Sequence, residues 1–154
     1  MKPAVIIGYS TCWKTREAFL AAGCEAYTCD LLPARADDPD ESRHLQGDVW
    51  LVLENSSWAF GVFHPMCTYL TVSAAWALKD PDFSRYPGVG YHQRPAPGTL
   101  VGAARRAAQA DAVANFQRLM DLPFPAVIEN PAQNFVSAHV GRPAQVIQPY
   151  EYGD

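Results

Sequence analysis

The sequence has no apolar run near the ~20 residues that span a bilayer, and no low-complexity stretch. It has no Cys-x-x-Cys pair and no histidine spacing to match its four cysteines, Cys12, Cys24, Cys29 and Cys67. That argues against a structural zinc site and for reduced thiols. An excess of positive charge is missing too: the formal net charge is −4, which excludes a generally basic nucleic-acid binder. Met1 to Ile7 runs straight into Gly8 and polar residues, unlike a signal peptide, so the expected location is the cytoplasm, with no membrane partner. Neither His64 nor His92 has a sequence-defined relation to Cys67, and no oxyanion loop is visible, which leaves a cysteine hydrolase poorly supported.

What is present fits one folded domain. At 154 residues, 49% of them hydrophobic, the chain is long enough to bury a core. Its charge is unevenly placed. From Lys79 to Arg118 six basic residues face three acidic ones, whereas Met1 to Asp48 holds five basic and eight acidic. A local basic face and an ordinary solvated helix surface both explain this.

Two stretches share one design. Trp58 to Phe63 is an apolar run that reads as a buried strand, broken after His64 by Pro65, which cannot donate to a ladder. Val127-Ile128-Glu129-Asn130-Pro131 repeats the pattern of apolar strand, polar residue and proline. If the two strands are parallel neighbours, Cys67 and Glu129 emerge on the same edge of one sheet, where α/β folds carry chemistry.

The rest of the chain supplies a frame for that edge. Ala4 to Gly8 is expected as the first, central strand, Tyr9 to Trp13 as a loop and Lys14 to Ala22 as a helix closed by Gly23. Glu25 to Cys29 follows as a strand with Asp30 at its carboxyl end, which completes a right-handed βαβ unit. Leu31 to Leu45 reads as loop, and Trp50 to Leu53 is too short to type. Thr71 to Leu78 reads as a short helix, and Asp80 to Pro97 as an ordered functional loop or lid (inserted over 79–98) or a plain surface excursion. Thr99 to Asp121 has helical spacing, stopped by Pro123 and Pro125; Ala126 to Glu129 and Val146 to Gln148 read as strands. The alternation implies a doubly wound, mostly parallel α/β sheet in a single domain.

Several blocks, in this order, carry a resemblance. They are Arg16-Glu17-Ala18-Phe19, Cys29-Asp30-Leu31-Leu32-Pro33, Gln46-Gly47-Asp48-Val49, His64-Pro65-Met66-Cys67-Thr68-Tyr69-Leu70, Tyr86-Pro87-Gly88-Val89-Gly90-Tyr91-His92-Gln93, Ile128-Glu129-Asn130-Pro131 and Gln145-Val146-Ile147-Gln148-Pro149-Tyr150. Together they resemble a small phage and prophage family of DNA cytosine methyltransferase-like proteins. The resemblance implies a Rossmann-like fold for S-adenosylmethionine and a cytosine in DNA or a nucleotide as substrate. Gly8, Cys12 and Trp13 in the first loop would then flank the methionine moiety, with His64 and Pro65 also on the cofactor side. Asp30 would take the ribose hydroxyls and Asp48 would lie near the adenine. Cys67 would be the nucleophile and Glu129 the acid that contacts the ring, while Tyr69, Arg94, Arg105, Arg106 and Asn130 would serve the substrate. The family usually has a second proline where Met66 stands, and Ser-Gly where Cys12-Trp13 stands.

The residue types suit that chemistry. Carbon 5 of cytosine becomes nucleophilic only after a thiolate adds at carbon 6, and a carboxylic acid that protonates ring nitrogen 3 assists the addition. Plainer roles stand beside each assignment. Cys67 reads equally as a small core residue, Glu129 and Asp30 as turn caps, His64 as a hydrogen-bonded core histidine, and Arg105-Arg106 as a solvated helix face. Two functions follow: a cytosine methyltransferase, or a methyltransferase-like domain that binds nucleic acid, nucleotide or protein without methyl transfer.

Overall fold

A computed structural model describes residues 2–80, 96–131 and 134–152. The chain forms two compact units: Met1–Met66 with Arg118–Asn130, and Cys67–Gln117 with Pro131–Asp154.

The first unit is an α/β sheet of five parallel strands. The strands are β1 (Ala4–Gly8), β2 (Glu25–Asp30), β3 (His44–Gln46), β4 (Phe60–Phe63) and β5 (Ala126–Ile128), in spatial order β3-β2-β1-β4-β5. The chain therefore lays down β1, β2 and β3 outward on one side, then crosses to β4 and β5 on the other. The order reverses between β1 and β4, the switch point at which open parallel sheets form ligand crevices.

Strand alternation sorts the core onto two faces. Val5, Ile7 and Ala26 pack with Phe19 and Leu20 of α1 (Trp13–Ala21) on one face. Ile6, Cys29 and Phe63 pack with Val49 of α2 (Val49–Asn55) and Leu119 on the other. The close approach of Phe63 to β1 explains Gly8. A Cβ there would lie 2.6 Å from Phe63 Cδ1, closer than packed carbon atoms stand.

Local chemistry sets the helix ends. At the end of α1, Gly23 (φ +88°) donates to the Leu20 carbonyl at 3.0 Å and Cys24 to the Phe19 carbonyl at 3.0 Å, the paired bonds of a Schellman stop. Asp48 caps α2 by accepting from the Trp50 amide at 2.8 Å.

In the second unit, α3 (Gly102–Met120) contributes its residues up to Gln117; its last turn belongs to the first unit. A 3-10 helix (Val72–Leu78), α4 (Val136–His139) and a terminal 3-10 turn (Pro149–Tyr152) complete the second unit. Among the described residues no helix is long and apolar enough to cross a membrane.

The sequence reading needs several corrections. The expected loop 31–45 contains a 3-10 turn (Glu41–Arg43) and runs into strand β3. The untyped segment at Trp50 is helix α2. β4 starts at Phe60 rather than Trp58, and α3 starts at Gly102 rather than Thr99. Val146 to Gln148 is not a strand: Val146 and Ile147 are more than half exposed and lie outside regular structure. Most of the expected loop from Asp80 to Pro97 lies outside the described residues.

Candidate functional site

In the first unit, the carboxyl ends of the strands bring the candidate residues into one row. β1 ends at Gly8 and turns through Tyr9, whose φ of +58° is unusual for a residue with a side chain. The turn is pinned by the Ser10 amide donating to the Cys29 carbonyl at 3.1 Å. Cys12, exposed, precedes α1 without a side-chain cap, and its amide donates to Ser10 Oγ at 3.1 Å. The half-buried Trp13 opens α1 near Asp37. The bond from Arg35 at 2.9 Å holds Asp37 below the usual carboxylate range, with a smaller contribution from the Trp13 indole.

Asp30 ends β2, and its Oδ1 accepts from the Leu32 amide at 2.9 Å. The turn-capping role is therefore realised. A carboxylate still has acceptor capacity on both oxygens after one such bond. The Asp30 carbonyl accepts from Gly47 at 2.8 Å, which ties the end of β2 to the approach of Asp48.

The ladders continue one residue past β4 and β5. The His64 amide donates to the Gly8 carbonyl of β1 at 3.1 Å and the Glu129 amide to the Phe63 carbonyl of β4 at 2.9 Å. This puts the two side chains next to each other, His64 Nδ1 standing 3.4 Å from Glu129 Oε2. His64 is 36% exposed and Glu129 53%, so His64 is not the core histidine that its apolar neighbours suggest. Pro65 is buried and Asn130 half-buried.

The sequence reading missed one charged pair that shapes this unit. Arg16 on α1 is fully buried, with Nη1 3.0 Å from Asp38 Oδ2 and Nη2 2.5 Å from Asp38 Oδ1, and a longer contact to Glu17. The two-pronged pair ties the loop after β2 to the helix after β1. The Arg16 guanidinium holds the Asp38 carboxyl below the usual carboxylate range.

At the opposite, amino-terminal end of β4 and β5 lies a cavity of about 410 Å³ lined by Trp50, Leu53, Trp58, Phe124 and the Arg118–Glu54 ion pair. The Arg118 guanidinium stacks 3.7 Å from the centre of the Trp50 ring. No residue given a catalytic or binding role from the sequence lines it.

In the second unit, Cys67 is a half-buried free thiol that opens a tight turn. Its carbonyl accepts from the Leu70 amide at 2.8 Å and the Thr71 amide at 3.0 Å, while the Leu70 side chain is fully buried. Arg105 is 4% exposed, so the solvated-face expectation does not hold for it. Its Nη2 donates to the Thr68 carbonyl at 2.9 Å, and its guanidinium lies 5.4 Å from the centre of the half-buried Tyr69 ring. Gln109, one turn along α3, donates to the Tyr69 carbonyl at 3.0 Å. Arg106 is half exposed and donates to the Leu78 carbonyl at 2.7 Å beside Asp80. Arg94 lies outside the described residues. Among the described residues no cluster of His, Cys, Asp and Glu could hold a metal.

No family model, characterised protein or solved structure matches the chain. Function must be argued from the residues themselves.

Gln109 is the turn-binding residue that sequence reading passed over. Its one signal was a polar side chain four residues from Arg105 on an alanine-rich helix, the spacing that shares a helix face.

Proposed function

We propose that the chain is an S-adenosylmethionine-dependent methyltransferase acting on carbon 5 of cytosine, in DNA or a nucleotide, with Cys67 as nucleophile. The observation that carries the reading is the parallel order β3-β2-β1-β4-β5 with Asp30, Asp48, His64 and Glu129 at the carboxyl ends of four strands. A carboxylate at the end of β2 beside the switch point suits ribose hydroxyls. The Asp30 carboxyl is half-buried and spends one bond on the Leu32 amide, so it fits that role.

S-adenosylmethionine would supply the electrophilic methyl group. Cys67 would lose its proton to solvent and its thiolate sulfur would bond to carbon 6, which moves the electrons of the carbon 5–carbon 6 double bond toward carbon 5. Glu129, as the acid, donates a proton to ring nitrogen 3 and so lowers the barrier to that addition. Carbon 5 would take the methyl group, which leaves the cofactor as the thioether, and then lose its proton to solvent. The Cys67 sulfur leaves carbon 6 as a thiolate, and the ring nitrogen 3 proton returns to Glu129. A duplex substrate must first release the base from its stack, at a cost of a few kcal/mol.

Trp13 favours a second reading. Where the resembled family carries glycine, this chain has a half-buried indole near Asp37, and a side chain there takes up space that glycine leaves open. In that reading the domain binds nucleic acid, nucleotide or protein without methyl transfer.

Calorimetric titration of S-adenosylmethionine separates the two. Methyl transfer requires binding by the wild type, weakened by about 1 to 3 kcal/mol in Asp30→Ala, and strengthened in Trp13→Gly. An absence of binding by both wild type and Trp13→Gly removes the cofactor assignment.

A further inference from the structure

We infer that Arg105 and Gln109 of α3 are positioning residues for Cys67, holding the turn that presents the thiol through its own backbone carbonyls. The inference rests on the reading of Cys67 as the working thiol.

Three consecutive residues after Cys67 have their carbonyls taken. Thr68 accepts from Arg105 at 2.9 Å, Tyr69 from Gln109 at 3.0 Å, and Leu70 from the Phe135 amide at 2.6 Å. The Cys67 carbonyl closes the turn by accepting from Leu70 and Thr71. Thr71 then forms an antiparallel bridge with Asn134. The turn is thus held from α3 on one side and from the segment before α4 on the other, with the Leu70 side chain as its buried anchor.

The choice of residues matters as much as the count. Burying a guanidinium is expensive unless its donors are used. Among the described residues Arg105 has no carboxylate partner; its bonds go to the Thr68 carbonyl and the face of Tyr69. A buried cation without an ion pair contributes little as a stability device, whereas its rigid planar fork fixes the carbonyl it binds. Arg105 and Gln109 stand four apart on a nineteen-residue helix, so the helix axis sets the spacing of the two grips.

The four cysteines make the test internal to the full chain. Cys67 is half-buried, Cys12 is exposed, and Cys29 is fully buried, its thiol pushed up to about 11 chiefly by burial. Labelling of Cys29 therefore reports loss of the first unit's fold, and labelling of Cys12 reports the reagent. The protein is treated with iodoacetamide, without cofactor or DNA, and each cysteine is followed by peptide mass. In Arg105→Met the Cys67 rate should rise about tenfold, because a hydrogen bond from a charged group no longer opposes opening of the turn. Gln109→Met should raise it about threefold, as expected for a neutral bond. Arg105→Lys, which restores a charged donor but not the planar fork, should bring the rate part of the way back, between wild type and Arg105→Met. In each case Cys12 is unchanged and Cys29 unlabelled.

Unchanged Cys67 rates in Arg105→Met and Gln109→Met, with Cys29 protected, overturn the inference. A merely structural role would loosen the second unit as a whole, read as a loss of helical circular dichroism beside the rise at Cys67, and loss of the entire fold would label Cys29 as well. Should Arg105→Met unfold in that way, Gln109→Met decides alone: selective acceleration at Cys67 supports the inference and its absence overturns it. Failure of methyl transfer is read separately, by covalent capture of a substrate base at Cys67, so either claim can fall without the other.

Discussion

His64 Nδ1 and Glu129 Oε2 stand 3.4 Å apart because each is the first residue past its strand on two adjacent parallel strands. The register fixes the pair: Phe63 sits opposite Ile128, and one further residue on each side brings imidazole and carboxylate together. Both side chains are substantially exposed, so the contact contributes little to folding.

That contrast gives a prediction. Glu129→Gln should alter unfolding free energy by no more than about 0.5 kcal/mol, as surface substitutions do, yet abolish methyl transfer. Urea titration and a methyl-transfer assay on the same preparation measure both. A large loss of stability would make Glu129 a structural residue.

The Arg16–Asp38 pair behaves oppositely. Removing one partner of a buried pair leaves an uncompensated charge, so Asp38→Asn should cost on the order of 3 kcal/mol at neutral pH. Because the Asp38 pKa is depressed in the folded chain, its contribution is complete above the unfolded value of about 3.9 and is lost as pH falls through the folded value. The stability gap between wild type and Asp38→Asn should hold from neutral pH down to mild acid and close below it. Urea midpoints across that range check the sign.

Cys29 supplies the alkaline counterpart. Its folded pKa is raised to about 11, by burial first and then by Asp30 and Asp48. Its contribution is therefore complete below the unfolded value of about 8.5 and is lost as pH rises toward the folded one. Cys29→Ala should destabilise by about 1 kcal/mol at neutral pH, with the gap shrinking as the solution becomes alkaline. Thermal unfolding followed at several alkaline pH values would reveal a constant gap if the burial assignment were wrong.

Gly8 is a packing requirement whatever the ligand. A Cβ there meets the buried Phe63 ring at 2.6 Å, so Gly8→Ala should cost about 1 to 3 kcal/mol through overpacking. Phe63→Leu in the Gly8→Ala background should recover part of that loss, measured as a double-mutant cycle.

How much of this could be read from sequence depends on where each signal resides. β1 and α1 were legible because apolar spacing and Gly23 act within a few residues of each other. β3 was not, since His44, Leu45 and Gln46 make a three-residue edge strand with no apolar alternation. α2 was hidden by its own composition: Val49 to Leu53 is apolar throughout and suits strand or helix equally, and the deciding Asp48 cap is a single bond. Trp58 and Ala59 read as strand by composition but only lead into it. The adjacency of β4 and β5 followed from two matching strand–proline patterns, which located Glu129 at the sheet's carboxyl edge. Arg16 was missed and Arg105 misjudged for one reason: their partners lie 22 and 37 residues away, and one is a backbone carbonyl that any residue carries.

The central claim is that Cys67 forms a bond with cytosine, and one measurement addresses it directly. DNA containing 5-fluorocytosine is incubated with the protein and S-adenosylmethionine, then the complex is denatured and digested. Fluorine at carbon 5 prevents the final proton loss, so sulfur that has added to carbon 6 stays attached. The account predicts an adduct mass on the peptide carrying Cys67, absent in Cys67→Ser and greatly reduced in Glu129→Gln. Unmodified Cys67 under conditions where cofactor and DNA both bind would contradict it.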